Sequence, residues 1–167
     1  MIYTFDTYYF DGKARTACLG ISDWKNEKPD FQLSEVIEGV EDYESGEFYK
    51  RELPCIESIL KHINLTPTDI LVVDGYVVLN DEGKFGLGGY LFQSLKKEIP
   101  IIGVAKNNFY GLNQLKREIL RGESKNPLHI TALGIDLDLA AEHIKSMHGD
   151  YRMPTILKML DLASRED

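Results

Sequence analysis

The sequence predicts an α/β domain built on a mixed five-stranded sheet with helices on both faces. Three observations carry this prediction: an aromatic and β-branched hairpin pattern opens the chain, two short and continuously apolar segments lie in its middle, and helical patterns surround them. Apolar segments of this kind are typical of parallel strands that crossover helices bury on both faces. The 167 residues suit a single domain over residues 1–167.

The first part of the chain predicts an antiparallel meander of three strands. Residues 2–10 are rich in aromatic and β-branched side chains, Asp11-Gly12 is a two-residue turn signal, and residues 15–22 form the returning strand. Residues 31–40 add the third strand. Residues 35–47 hold six acidic side chains and no basic one, which is most simply a solvated face or loop.

The middle of the chain predicts a helix followed by two parallel strands. Pro54 fits the first turn of the helix, whose apolar stripe is Ile56, Ile59, Leu60 and Ile63. Residues 70–73 and 101–104 predict the two strands, with a helix over about residues 87–98 between them.

The last third of the chain predicts three helices and an edge strand. The spacing of the leucine and isoleucine residues within 112–120 favours a helix, and residues 129–133 favour an edge strand. Residues 139–147 predict a helix that Gly149 stops, and Pro154 opens a last one.

The order of the strands follows from burial and handedness. A right-handed crossover places the strand at residues 70–73 parallel beside the first strand, because an edge position would expose its apolar side chains. The first strand is then central. This is the order of the ribonuclease H-like fold.

The composition is that of an acidic globular protein. There are 27 Asp and Glu residues against 19 Lys and Arg residues, a formal net charge of −8, and 43% of the residues are apolar. Disorder as the main state is excluded, and no apolar run is long enough to span a membrane. The first residues lack the features of a secretory signal, so we expect a cytoplasmic protein. The net charge opposes indiscriminate nucleic-acid binding.

Several kinds of site are not indicated. Cys18 and Cys55 have no partners at metal-ligand spacing, so we expect neither a zinc site nor a disulfide scaffold. The glycines of residues 86–89 match no nucleotide-binding fingerprint, and we expect no organic cofactor. His143 and His148 are five residues apart, which does not suit a metal pair on one helical face.

Three acidic residues are candidates for one site. Asp6 interrupts the aromatic first strand, where Asp is disfavoured. Asp74 ends the apolar segment 70–73, and the carboxyl ends of such strands border the ligand crevice of open α/β sheets. If the two strands are neighbours, both carboxylates converge there, and Glu52 near the start of the helix adds a third.

The chemistry of such a cluster points to metal-dependent hydrolysis. Carboxylates held together repel one another and require a cation, and hard oxygen ligands select Mg²⁺ or Mn²⁺. Phosphodiester cleavage is the natural reaction for a site of this kind. Lys106 ends the next strand and would balance charge on the scissile phosphate.

Each candidate also has an ordinary structural interpretation. Asp74-Gly75 can be a strand-ending turn, Asp6 can face solvent, and Glu52 can be a first-turn helix acid. The arrival of three acids and a lysine at one sheet edge favours a site.

Five segments match the motifs of one known family in the same order along the chain. They are Asp6-Thr7-Tyr8-Tyr9, residues 43–52, Val73-Asp74-Gly75 with the later Phe85-Gly86-Leu87, Ile102-Gly103-Val104-Ala105-Lys106, and Tyr151-Arg152-Met153-Pro154 with Asp161. With them the chain resembles the endonuclease V family, ribonuclease H-like metal-dependent nucleases that recognise deaminated adenine.

The resemblance implies a role for each matching residue. The implied metal ligands and catalytic acids are Asp6, Glu52, Asp74 and Asp161, with Lys106 as the active-site lysine. The implied substrate-binding residues are Tyr9, Tyr43, Gly75 and Arg152, with Tyr43 at the position of the strand-separating wedge.

The chain also departs from the family pattern. Residues 80–84 stand where the family has His-Pro-Arg, and residues 132–135 replace its Ser-Pro-Gly-His segment. Where the wedge of the family has an apolar Ile-Pro pair, this chain has Glu44-Ser45, which lies inside the acidic segment. We therefore expect retained hydrolytic machinery and altered base recognition.

Local charge gives partial support for a nucleic-acid partner. Residues 84–125 hold eight Lys and Arg residues against three Glu residues, so this part of the chain carries +5. A nucleic-acid track and a solvated helix face explain this equally well.

The prediction is a metal-dependent endonuclease that uses Mg²⁺ or Mn²⁺ to cleave DNA or RNA, with inosine as the base that the resemblance implies. The alternative is a non-catalytic descendant of the family that binds nucleic acid or a protein. Nuclease activity without an inosine preference is a third outcome.

Overall fold

The computed structural model describes residues 1–40 and 48–166. In chain order, the elements are β1 (Ile2–Phe10), β2 (Lys13–Ile21), β3 (Phe31–Glu38), α1 (Phe48–Leu60), β4 (Ile70–Asp74), α2 (Leu87–Ser94), β5 (Ile101–Ala105), β6 (Arg117–Ile119), β7 (Leu128–Leu133), α3 (Leu137–Ser146) and α4 (Thr155–Arg165). Among these residues, none of the helices combines the length and the apolar character needed to cross a bilayer.

One sheet of seven strands organises the molecule, in the order β3-β2-β1-β4-β5-β7-β6. β1, β4 and β5 run parallel, and the other pairings are antiparallel. The mixed α/β class, the ribonuclease H-like order and the central position of β1 are confirmed. The predicted number of five strands is wrong, because β7 and β6 continue the sheet beyond β5.

The predicted helix within residues 112–120 is wrong. Leu112 is fully buried, but Leu115 and Leu120 are exposed, so these residues do not share one buried stripe. Residues 117–119 instead pair with β7 as β6, the edge strand. Residues 129–133 therefore lie in an interior strand and not at the edge.

Two helix boundaries also differ from the prediction. α1 begins at Phe48, so Pro54 lies inside the helix and Glu52 lies in its second turn. α2 ends at Ser94 because Lys96 and Lys97 have positive φ angles of 58° and 60°, which a helix cannot include. The other predicted helices, α3 and α4, are confirmed.

The helices cover the sheet on both faces. α1 and α2 pack on one face with Phe5 and Leu71, and α3 and α4 pack on the other with Val72 and Ile102. β1 and β4 thus contribute to both cores. The carboxyl ends of the parallel strands lie where α1 and α4 approach the sheet from opposite sides.

Candidate active site

Asp6 and Asp74 meet at the carboxyl ends of neighbouring strands. The parallel register places Phe5 opposite Val73, so the next residues along both strands are also neighbours. Asp6 is only 8% exposed, which excludes the solvent-facing interpretation, whereas Asp74 remains accessible at the rim. Both side chains line the same cleft, close enough for their charges to interact. Like charges this close favour the protonated form of one of the two carboxyl groups.

Glu52 reaches this cluster from the opposite helix layer. It lies in α1, is 3% exposed, and its charge interacts with those of Asp6 and Asp74. The Thr7 side chain lies close enough to Glu52 to favour its charged form, and the Thr7 hydroxyl lies 2.9 Å from the Thr16 hydroxyl. Burial this deep excludes an ordinary solvent-exposed helix acid.

Burial and mutual repulsion raise the pKa values of these carboxyl groups. The pKa of Asp6 rises to about 7, first because burial removes water and then because Asp74 and Asp161 carry like charge. The pKa of Glu52 lies well above its ordinary value, chiefly through burial and then through Asp6 and Asp74. Burial also raises the pKa of Asp74, although the positive charge of Lys106 opposes this.

Asp161 and Lys106 complete the walls of the same cleft. Both line it together with Asp6 and Asp74. The Asp161 carboxylate is held by the Arg165 guanidinium, with 3.3 Å between Oδ1 and Nε. Lys106 follows β5 and is exposed, with its ammonium group close enough to lower the pKa of Asp74.

The donor set fits a hard divalent cation in its chemistry. Carboxylate oxygens are the ligands that Mg²⁺ and Mn²⁺ prefer, and a cation among these acids would oppose the burial and repulsion that raise the pKa values of Asp6 and Glu52. Within residues 1–40 and 48–166, however, no three His, Cys, Asp or Glu side chains are arranged as a formed metal site. A bound cation would therefore have to compete with the proton on Asp6.

The structure places two of the predicted substrate-binding residues in supporting positions. The Arg152 guanidinium donates hydrogen bonds to the backbone carbonyls of Lys106 and Pro127, the second at 2.7 Å. It thus anchors the backbone of Lys106. Gly75 has φ of +123°, which favours glycine, and its N–H donates to the Val104 carbonyl at 2.9 Å.

Tyr9 lies beside the carboxylate cluster, and Tyr43 lies outside the described residues. The Arg51 guanidinium stacks over the Tyr9 ring at 3.5 Å from its centroid. The Tyr9 hydroxyl is buried without a hydrogen-bond partner among the described residues. Burial and the charge of Glu52 raise its pKa, so it remains a phenol.

Ser164 and Thr7 are site residues that the sequence reasoning missed. The Ser164 hydroxyl donates to Asp6 Oδ2 at 3.2 Å, and the Thr7 N–H donates to Asp6 Oδ1 at 3.0 Å. Ser164 lies three residues after Asp161 on α4, which puts both on one helical face. That spacing is the signal that could have identified it.

The family follows from a comparison with known families. The family model described as Endonuclease V matches residues 1–134. The chain belongs to the endonuclease V family. This family assignment confirms the resemblance seen in the sequence motifs.

Solved structures of endonuclease V share the fold of this family member. The Streptomyces avermitilis endonuclease V is 22% identical, with a TM-score of 0.80 over 98% of this chain and 79% of that one. The Ciona intestinalis endonuclease V, solved with a 24mer DNA containing an inosine followed by a ribo-adenosine, is 18% identical, with a TM-score of 0.76 over 98% and 83%. The Bacillus subtilis endonuclease V is 19% identical, with a TM-score of 0.72 over 98% and 78%. No curated protein matches the chain significantly.

Proposed function

We propose that this chain is a metal-dependent endonuclease that hydrolyses phosphodiester bonds in nucleic acid. The observation that supports the proposal most is the convergence of Asp6, Glu52 and Asp74 at one sheet edge, with pKa values raised by burial and repulsion. Such a cluster destabilises the metal-free protein, which a cation-binding role explains. Membership of a nuclease family supports the same reaction.

Each residue of the cleft has a role in the proposed reaction. Asp6, Glu52, Asp74 and Asp161 would hold Mg²⁺ or Mn²⁺. A bound cation of this kind supplies a more acidic water and neutralises charge on the phosphate. Lys106 is exposed at the rim, where its ammonium group can donate to a non-bridging phosphate oxygen. Arg152 fixes the Lys106 backbone, and Ser164 orients the Asp6 carboxyl.

Inosine in DNA or RNA is the substrate that we propose. The support is the family and the inosine-containing DNA in the Ciona intestinalis structure. A base in a duplex must turn out of the stack to reach a cleft in the protein. The single-domain organisation and the cytoplasmic location stay predictions from the sequence.

A cleavage assay tests the proposal. End-labelled oligonucleotides with and without inosine are incubated with the protein in Mn²⁺ or in EDTA, alongside Asp74→Asn and the control Asp138→Asn. Asp138 is exposed on α3 and pairs with Arg117. We expect metal-dependent cleavage, a loss of about 10³-fold or more in Asp74→Asn, and a rate within about twofold of wild type in the control. Equal rates for wild type and Asp74→Asn would refute the assignment, and cleavage without inosine preference would refute the substrate.

A non-catalytic descendant of the family is the second candidate. The observation that favours it is the lack of a formed three-ligand metal site within the described ranges 1–40 and 48–166. In the same assay, this candidate predicts no cleavage with any metal. The protein would still bind nucleic acid or a protein.

A further inference from the structure

The loop between β5 and β6, residues 106–116, begins at the cleft with Lys106 and presents an exposed aromatic side chain. Tyr110 is 95% exposed, more than any other aromatic residue among the described parts of the chain. A single exposed tyrosine is common on protein surfaces. The anchoring of this loop, its charge and its position distinguish Tyr110 from such a residue.

The first half of the loop is fixed on both sides of Tyr110. The Tyr76 hydroxyl donates to the Asn107 carbonyl, and the Phe109 ring lies against Tyr76 with 5.7 Å between centroids. Leu112 is fully buried in the core. Gly111 has φ of +86°, a conformation that glycine adopts without strain, and this turn separates the buried leucine from the exposed tyrosine.

The second half of the loop is held by Asp81 and Lys116. Asp81 Oδ1 accepts the backbone N–H groups of Asn113, Gln114 and Leu115 at 2.8, 2.7 and 3.2 Å. Lys116 Nζ donates to Asn108 Oδ1 at 2.6 Å. Because the loop is already ordered, a ligand that stacks on Tyr110 gives up little entropy in fixing it.

The charge and position of the loop favour a nucleic-acid strand. The loop holds no acidic residue, in a protein with net charge −8, and it begins with the exposed Lys106. Lys116 is 7% exposed and pairs with Glu118, so the charge available to a strand is that of Lys106. Tyr110 is four positions after Lys106, a distance of at most about 14 Å along the chain. The ring therefore lies within reach of the nucleotides that flank a phosphate held at Lys106.

We propose that Tyr110 stacks on an unpaired base next to the phosphate that Lys106 contacts. The inference rests on the proposed function, since that function supplies the strand in the cleft. Stacking on an aromatic ring tolerates every base, because each has a π-face. Tyr110 thus contributes affinity for unpaired bases and leaves the choice of reacting base to the cleft.

Binding in the absence of metal tests the proposal. Labelled single-stranded oligonucleotides are titrated in EDTA with wild type, Tyr110→Ala, Tyr110→Phe and the control Tyr151→Ala. Tyr151 is also exposed, at 75%, but lies in the segment before α4. We expect Tyr110→Ala to raise Kd about 5- to 150-fold without changing its salt dependence, and Tyr110→Phe to bind within about twofold of wild type. A base analogue whose fluorescence is quenched by stacking should lose its quenching only in Tyr110→Ala.

Four results would overturn the proposal: no binding by wild type, equal binding by wild type and Tyr110→Ala, an equal loss in Tyr151→Ala, or a loss in Tyr110→Phe as large as in Tyr110→Ala. Cleavage in Mn²⁺, measured on the same proteins, separates it from the proposed function. Cleavage by wild type with no effect of Tyr110→Ala on binding refutes the stacking role and retains the nuclease. Tyr110-dependent binding without cleavage retains the stacking role and refutes the nuclease.

Discussion

Asp6 lies in a central, buried strand, where a carboxylate lacks both water and a neutralising partner. Its pKa of about 7 compares with 3.8 for a free aspartate, so the folded protein keeps this proton where the unfolded chain releases it. Between about pH 4 and pH 7, folding therefore binds a proton. The free energy of unfolding of the metal-free protein consequently falls as the pH rises through this range.

Replacing Asp6 with asparagine should remove this pH dependence. In EDTA at pH 8, we expect Asp6→Asn to be more stable than wild type by about 2 to 4 kcal/mol, since a pKa about three above that of free Asp corresponds to roughly 4 kcal/mol. At pH 4 the two proteins should be similar. Urea unfolding at both pH values measures this, and a stability difference that is independent of pH would contradict the assignment of the proton to Asp6.

The position of side chains at the carboxyl ends of parallel strands explains why the sequence predicts that Asp74 and Lys106 lie together. Asp74 and Lys106 follow apolar strands, and the parallel sheet brings them to one edge. The depth of Glu52 was not predictable, because Pro54 suggested a helix start six residues too late. The supporting role of Arg152 was also hidden, since its acceptors are backbone carbonyls that only the tertiary structure brings near.

Arg121 joins the end of α3 to the segment that precedes α4. It is 5% exposed, and its guanidinium donates to five backbone carbonyls, those of Lys145, Met147, Gly149, Tyr151 and Arg152. These contacts position the segment that carries Arg152, which in turn holds the backbone of Lys106. An arginine after a short edge strand thus connects the far end of the chain to the cleft.

Arg121→Ala should therefore lower the free energy of unfolding by about 3 kcal/mol or more, because buried carbonyls lose their donors. Arg117→Ala is the matched control. The Arg117 guanidinium also donates to backbone carbonyls, and it forms an ion pair with Asp138. Its side chain is 40% exposed, so removing it should lower the free energy of unfolding by about 1 kcal/mol or less. Chemical denaturation of the three proteins gives the comparison, and equal losses would show that Arg121 does not have this role.

Gly103 lets the turn after β4 approach β5 closely. A Cβ atom at this position would lie 2.5 Å from the Gly75 carbonyl oxygen and 2.7 Å from the Thr131 hydroxyl. Gly103→Ala should therefore cost about 1 to 3 kcal/mol and displace the adjacent Asp74, so cleavage should also slow. Thermal unfolding and the cleavage assay measure both effects. Wild-type stability of Gly103→Ala would show that the turn after β4 leaves room for a Cβ atom at this position.

The elements with consistent local signals were predicted, and those fixed by tertiary contacts were not. The β1–β2 hairpin follows from its turn, where Asp11 and Gly12 both have positive φ. The segment before β6 has helical spacing, but Asp81, about 30 residues earlier, holds its backbone in a turn. No local pattern identifies such a contact.

The cleft is a product of the whole fold. Its acids come from the central strands β1 and β4 and from helices on opposite faces, so no contiguous part of the chain contains it. This arrangement concentrates negative charge in a protein that is already acidic overall. A divalent cation bound there would relieve the repulsion and stabilise the folded state by mass action.

Crystals of the protein soaked in Mn²⁺ test this account most directly. We expect an anomalous difference peak beside Asp6 and Asp74, with oxygens of these residues and of Glu52 about 2.0 to 2.2 Å from the ion. In the same crystals of Asp74→Asn, the peak should weaken or disappear. Asp6 and Asp74 carboxylates with no manganese between them would contradict the account.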